Sequence, residues 1–165
     1  ALAITGGQGS ILIGSTDTQV VFVAGNTTYV ARRIEGMYPN YKALLPASCA
    51  TTVKIDVAAL TSALKRVSTV AQANSAVKFD ISVETGQMML SAISNDQDAA
   101  TATVEVEAEG ASGVIAFNYH YIFGCLNVLS HEKEITLELQ SYNQAGVFKS
   151  YDKINYLYLV MPVRI

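Results

Sequence analysis

From Val53 onward the chain runs twice through one order of elements, and this constrains its fold more than any other feature. Residues 53–56 (VKID) read as a short strand. Asp56 is suited to cap a helix from residue 57 to about 72, whose apolar positions Val57, Leu60, Ala63, Leu64, Val67 and Val70 fall at helical spacing. Three strand-like segments follow, 77–83, 88–93 and 101–109, with turns at Gly86 and at 95–98. In the last of them Val104 and Val106 alternate with Glu105 and Glu107, the pattern of a sheet with one wet face. The second pass begins at 114–117. Asn118 is a fitting N-cap for a helix over 119–129, and strands are expected at 134–139, 147–151 and 156–161. Each pass is β-α-β-β-β, although the residue identities do not repeat. Two helices on one face of an antiparallel sheet make an α+β domain.

The part before this repeat is different. Residues 10–14 (SILIG), 19–24 (QVVFVA) and 27–34 (TTYVARRI) read as strands, with Gly25-Asn26 a strong hairpin signal. Three strands without a helix leave a face bare, so this segment reads as the end of a domain. Residues 36–48 hold two prolines, should be irregular, and make the linker. The expected division is 1–41 and 42–165.

Half of the 165 residues are apolar, ample for a packed core. Charged residues make up 15%, below the usual ~25%. The net charge of −3 is not that of a generic nucleic-acid binder. A few cations on one face can still meet phosphate. No apolar run approaches the ~20 residues of a membrane helix, and no basic segment precedes an apolar stretch at the N-terminus. Cys49 and Cys125 have no CxxC spacing and read as two buried free thiols.

Signals for catalysis are sparse. His120 and His131 lack carboxylate or cysteine neighbours at ligand spacing. No GxSxG is present. Gly6-Gly7-Gln8-Gly9 lacks the lysine and following helix of a phosphate loop and reads as a turn. Glu105, Glu107 and Glu109 alternate along one strand, a solvated face rather than a catalytic pair. Nothing calls for a metal or cofactor.

The last ten residues, YLYLVMPVRI, are unusual because chain ends are commonly polar and frayed. This end stays apolar to Ile165, with Pro162 stopping further ladder donation. A strand of this kind is either covered by its own fold or shaped to take a peptide.

Two blocks carry a resemblance: Arg33-Ile34-Glu35-Gly36-Met37-Tyr38-Pro39-Asn40-Tyr41 with Leu45-Pro46, and Tyr158-Leu159-Val160-Met161-Pro162-Val163-Arg164-Ile165. In order and separation they resemble the C-terminal part of the bacterial sliding clamp, the beta subunit of DNA polymerase III. The likeness covers most of the chain and is weakest at 1–9 and 145–155. It implies a DNA-clamp fold, with 1–41 closing the middle clamp domain and 42–165 forming the last one. It implies a non-enzymatic cytoplasmic processivity factor that rings duplex DNA independently of sequence. Its partners would be the replicative polymerase, the clamp loader and other proteins bearing a clamp-binding motif. The implied peptide groove uses Pro39, Leu44, Asn118, Tyr121, Leu159, Val160, Met161, Pro162, Val163, Arg164 and Ile165. Lys65 and Arg66 would meet phosphate. Thr69, Val70, Thr101, Thr103 and Glu105 would form the interface of a homodimeric ring. Ala43 departs from the basic residue found there in several clamps, with Lys42 beside it. A chain of this extent should hold half a groove and form no ring. An unrelated α+β ligand- or peptide-binding module is the rival reading. It would show an enclosed pocket and ignore clamp-binding peptides.

Overall fold

The computed structural model describes residues 9–38, 40–46, 48–71, 75–93 and 99–164, without the side chain of Ile93. Pro39, Ile165 and the expected turn at 95–98 lie outside the described residues. The chain divides into two compact units, Ala1–Asn40 and Tyr41–Ile165.

The first unit is an antiparallel sheet of β1 (Leu12–Ser15), β2 (Gln19–Ala24) and β3 (Thr27–Arg32), in that order. The β2–β3 turn uses Gly25 at φ +55°, where a side chain would be strained. Phe22 faces Tyr29 across the ladder with ring centroids 6.1 Å apart. β3 ends at Arg32 rather than at 34; the Arg33 N–H still donates to Thr18 O, the next pair in register, and its guanidinium donates to Thr16 O. None of this unit's described residues is buried, as a sheet with no covering layer requires.

The second unit opens with a 3-10 turn, Tyr41–Leu44, and then makes the expected repeat. Its first pass is β4 (Thr51–Asp56), α1 (Val57–Ser68), β5 (Ala76–Ser82), β6 (Gln87–Ile93) and β7 (Ala99–Glu109). Its second pass is β8 (Gly113–Asn118), α2 (Tyr119–Val128), β9 (Glu134–Leu139), β10 (Gly146–Ser150) and β11 (Tyr156–Val160). Both caps form as the residues suggest. Asp56 accepts from Ala59 N at 2.7 Å, and Asn118 from His120 N at 3.0 Å. Helix α1 ends at Ser68, short of the expected 72. Ser68 and Thr69 turn their hydroxyls onto the carbonyls of Lys65 and Arg66, at 3.0 and 2.8 Å, giving the last turn its partners.

The eight strands pair antiparallel in the order β11-β10-β9-β4-β7-β6-β5-β8. The long β7 changes partners along its length. Residues 99–105 pair with β6, and residues 106–109 pair with β4. The outer edge of 99–105 therefore has no strand beside it among the described residues. The helices lie against the inner face, where Leu60, Leu64, Val67, Ile122 and Leu129 meet the strands' inward residues. Phe79, Phe117 and Phe148, fully buried, form an aromatic column with centroids 5.4 and 6.1 Å apart. Each such ring contributes roughly 1.5–3 kcal/mol by burial. Because Phe117 belongs to β8 and Phe148 to β10, the column brings the two ends of the strand order close together. Gly146 permits that approach, since a Cβ there would stand 2.8 Å from Phe117 Cζ.

Glu132 is the one buried carboxylate among the described residues. It accepts from Ser150 Oγ at 3.1 Å and Lys153 N at 3.3 Å, tying the loop after α2 to the β10–β11 turn. One thiol expectation is corrected: Cys125 is buried, but Cys49 is exposed, because it precedes the first core strand and points at Thr52 Oγ1 near the surface. No helix among the described residues is long and apolar enough to cross a membrane.

Candidate functional site

The internal repeat makes a local prediction about the end of the chain. In the first pass the end of β7 returns to β4 through four register pairs, Thr52↔Glu109 to Ile55↔Val106. In the second pass the segment after β11 should return in the same way to β8. It does so by one backbone hydrogen bond among the described residues, Val163 N to Ala116 O at 2.9 Å. Pro162 cannot donate, and the seam stays open.

Two clefts flank this seam. One, of about 580 Å³, is lined by Val114, Ile115, Ala116, Tyr142, Asn143 and Met161 through Arg164. The other, of about 260 Å³, is lined by Ala43 through Pro46, Gln140, Asn143, Gln144, Ala145 and Met161. Met161, 58% exposed, and Asn143 border both. The walls are apolar at Val114, Met161, Pro162 and Val163, with Ile115 and Ala116 buried beneath them and the exposed Arg164 guanidinium at the rim. Such a site offers apolar burial with a few orienting polar groups, the usual make-up of a peptide or ligand cleft. Methionine adds a wall that adjusts to what it meets.

Of the residues expected at a groove, Leu44, Met161, Pro162, Val163 and Arg164 line these clefts. Leu159 pairs with Val147 in the ladder, and Val160 is buried in the core, so neither lines a cleft. Asn118 is occupied as the α2 cap, and Tyr121 is exposed on α2 beside Tyr158; neither lines a cleft. Sequence reasoning missed Val114 through Ala116, and Tyr142 to Ala145 in the β9–β10 turn. The repeat held the missing signal, since it makes β8 the strand toward which the tail must return.

The other expected residues are spread over the unit. Lys65 and Arg66 are exposed in the last turn of α1, where cations also suit the helix dipole. Helix α2 carries no lysine or arginine. Thr69 caps α1 and Val70 follows it, while Thr101, Thr103 and Glu105 stand exposed on the half of β7 with the open edge. A third depression, around Lys54, Asp56, Glu105, Glu107 and Glu134, is polar. Lys54 pairs with Glu107 at 3.1 Å, and that hydrogen bond holds the lysine's pKa above its ordinary value. Behind the tail, burial raises the pKa of Tyr156 and Tyr158, whose rings stack 6.2 Å apart. Among the described residues no three metal-ligating side chains gather.

Residues 42–164 match the family model of the DNA polymerase III beta subunit, C-terminal domain. The chain belongs to the sliding-clamp family. The beta sliding clamp of Synechocystis sp. is 32% identical over 165 residues, covering 99% of this chain and 42% of that protein. The beta sliding clamp homolog GriR of Streptomyces muensis is 33% identical, covering 86% of this chain and 39% of its own. The solved DNA polymerase III beta subunit of Thermotoga maritima superposes with a TM-score of 0.74 at 30% identity, over 94% of this chain and 42% of that one. A Pseudomonas aeruginosa sliding clamp reaches a TM-score of 0.84 at 23% identity, over 99% of this chain and 44% of that one, and shows the shared fold. The α+β arrangement described above is thus the DNA-clamp fold. The chain spans about two fifths of the length of these curated relatives.

Proposed function

We propose that this chain is part of a DNA polymerase processivity factor, and that its clefts at the β8 seam take a short apolar peptide from polymerases and other partners. The observation that carries the reading is the open seam itself, in a chain of the sliding-clamp family. Residues that a closed sheet would spend on a ladder are left as apolar walls, with Met161 between two clefts. Binding would work by tethering: a partner held on a protein that encircles DNA sees a high local concentration of primer ends.

In this reading residues 1–41 close the middle clamp domain and 42–165 are the last domain. The whole protein is a homodimeric ring on duplex DNA in the cytoplasm, without catalysis of its own. Lys65 and Arg66 make sequence-independent phosphate contacts. The open edge of β7 at Thr101, Thr103 and Glu105, with Thr69 and Val70, meets the neighbouring subunit. Asn118, Tyr121, Leu159 and Val160 support the groove from behind or beside it.

An NMR titration of the chain with a Gln-Leu-Ser-Leu-Phe peptide tests this. Shifts should cluster at Leu44, Val114–Ala116 and Met161–Arg164. Met161→Asp places a charge in the apolar wall and should weaken binding about tenfold or more. Silence both here and in a longer chain that includes the complete preceding domain would refute the reading.

A further inference from the structure

The chain has four methionines, and the fold treats them differently. Met88 is fully buried, Met89 is 39% exposed, Met161 58% and Met37 96%. A dissolved oxidant reaches a thioether only where water does, so Met37 and Met161 are the first targets. Met37 belongs to the first unit, whereas Met161 stands between the two clefts of the second.

Those clefts differ in what they offer the Met161 side chain. The larger one sets Val114, Pro162 and Val163 around it. The smaller one carries three primary amides, Gln140, Asn143 and Gln144, all from the β9–β10 turn. Ser141 Oγ donates to Asn143 Oδ1 at 2.7 Å, which leaves the NH2 group as that side chain's donor. A thioether is a weak acceptor and gains little from such donors. A sulfoxide is polar and accepts them well. The backbone beside Met161 is also lightly held. Among the described residues one hydrogen bond, from Val163 N to Ala116 O, ties the segment after β11 to β8. Moving Met161 from one cleft toward the other therefore breaks no ladder.

We propose that Met161 is a reversible oxidation site whose sulfoxide is held by the amides of the smaller cleft, so that peroxide switches partner binding off. This rests on the peptide-binding reading above. Peroxide passes one oxygen to a sulfur lone pair: an S–O bond forms, the O–O bond breaks, the sulfur is oxidised, and water leaves. The product is polar and chiral where the thioether was apolar. The side chains of Val114, Pro162 and Val163 offer its oxygen no donor, which disfavours that side for it. Facing the amides, it takes the Met161 wall away from an entering peptide. Methionine sulfoxide reductases, one for each epimer, undo the change.

The test treats the whole chain with dilute hydrogen peroxide and maps the sulfoxides by mass spectrometry over time. Met161 should oxidise far ahead of Met88. With no peptide present, the side-chain amide signals of Gln140, Asn143 and Gln144 should then move in NMR spectra. A fluorescently labelled Gln-Leu-Ser-Leu-Phe peptide should bind the oxidised chain roughly fivefold or more weakly than the untreated one, and the two reductases together should restore binding. Met161→Leu keeps an apolar wall without a sulfur and should bind alike before and after peroxide. Oxidation of Met161 no faster than of Met88, or amide signals that stay in place, overturns the proposal and spares the peptide-binding reading. Undiminished binding by chains carrying the Met161 sulfoxide does the same. So does an equal loss in Met161→Leu, which assigns the effect to Met37, Met89 or Cys49. Binding of the peptide by neither this chain nor the longer one of the preceding test, before any treatment, overturns both readings.

Discussion

Alkaline solution should weaken this chain through Cys125. The thiol sits on the inner side of α2 at 0% exposure, and burial pushes its pKa up to about 12 from an ordinary 9.0. Burial penalises the thiolate and leaves the thiol alone. In the unfolded chain the penalty vanishes, and the thiol ionises near its ordinary value. The folded-state pKa is thus the higher one. The stabilisation is complete below about pH 9 and is lost as the pH rises toward about 12. Worked through, the unfolded state gains on the order of 1 kcal/mol at about pH 10 and on the order of 3 kcal/mol at about pH 11. Domains have only about 5–15 kcal/mol in hand, so the first of these is measurable. Tyr156 and Tyr158, also raised by burial, act with the same sign but at higher pH. Urea unfolding of the reduced protein, followed by circular dichroism at about pH 8 and pH 10, should show the loss. Cys125→Ala adds a constant cavity cost and removes the thiol's share of the pH slope, while Cys49 and the two tyrosines are common to both proteins and cancel. Equal losses in wild type and Cys125→Ala between those two pH values would refute the argument.

Three further outcomes are expected. In native protein one thiol, Cys49, should react at once with a disulfide reagent, and the second only on unfolding; two fast thiols would contradict the burial of Cys125. Gly124 lies in α2 with nothing within 4 Å of a built Cβ, so Gly124→Ala should raise stability by about 0.5–1 kcal/mol in thermal melts. Glu132→Ala leaves the Ser150 hydroxyl and Lys153 N–H without their acceptor and should cost about 1–3 kcal/mol, read as a lower urea midpoint at unchanged slope.

The fold was largely legible because its signals are local. Asp56 and Asn118 mark helix starts by their own side chains, Gly25 marks a turn by its backbone freedom, and alternation marks the strands of both passes. The end of α1 was misjudged because apolar spacing continues through Val70, while the Ser68 and Thr69 hydroxyls that finish the helix act against the pattern. Cys49 was misjudged for a related reason: composition says cysteines are mostly buried, but only the start of β4 decides which ones are. At the clefts, the tail and Leu44 were readable from the sequence. Tyr142 and Asn143 were not, because a turn residue shows its wall only when the turn is folded onto another strand. Val160 shows the converse. It shares the apolar tail with Met161, yet alternation turns it inward, so neighbouring residues of one motif have separate tasks.

The repeat explains why the clefts lie where they do. A β-α-β-β-β unit used twice offers two junctions at which its last strand can close onto its first. At the β4–β7 junction the closure is a ladder, and the outward residues there, Lys54 and Glu107, form a charged pair in water. At the β8 junction three local features prevent the same closure. β11 ends at Val160, Pro162 has no N–H to give, and the β9–β10 turn lays Tyr142 against Gly113 beside the strand the tail would join. A symmetric fold therefore carries one sealed junction and one open junction, and the open one exposes the apolar surface that the sealed one buries. Filling the gap should stabilise the unit in proportion to the surface covered. A peptide that binds at ten times its dissociation constant should raise the unfolding free energy by about 1.4 kcal/mol. The gain should vanish with Met161→Asp, and not with a substitution on the β4–β7 face such as Glu107→Gln. A stabilising peptide equally effective on all three proteins would place its site elsewhere and break the link between the open junction and binding.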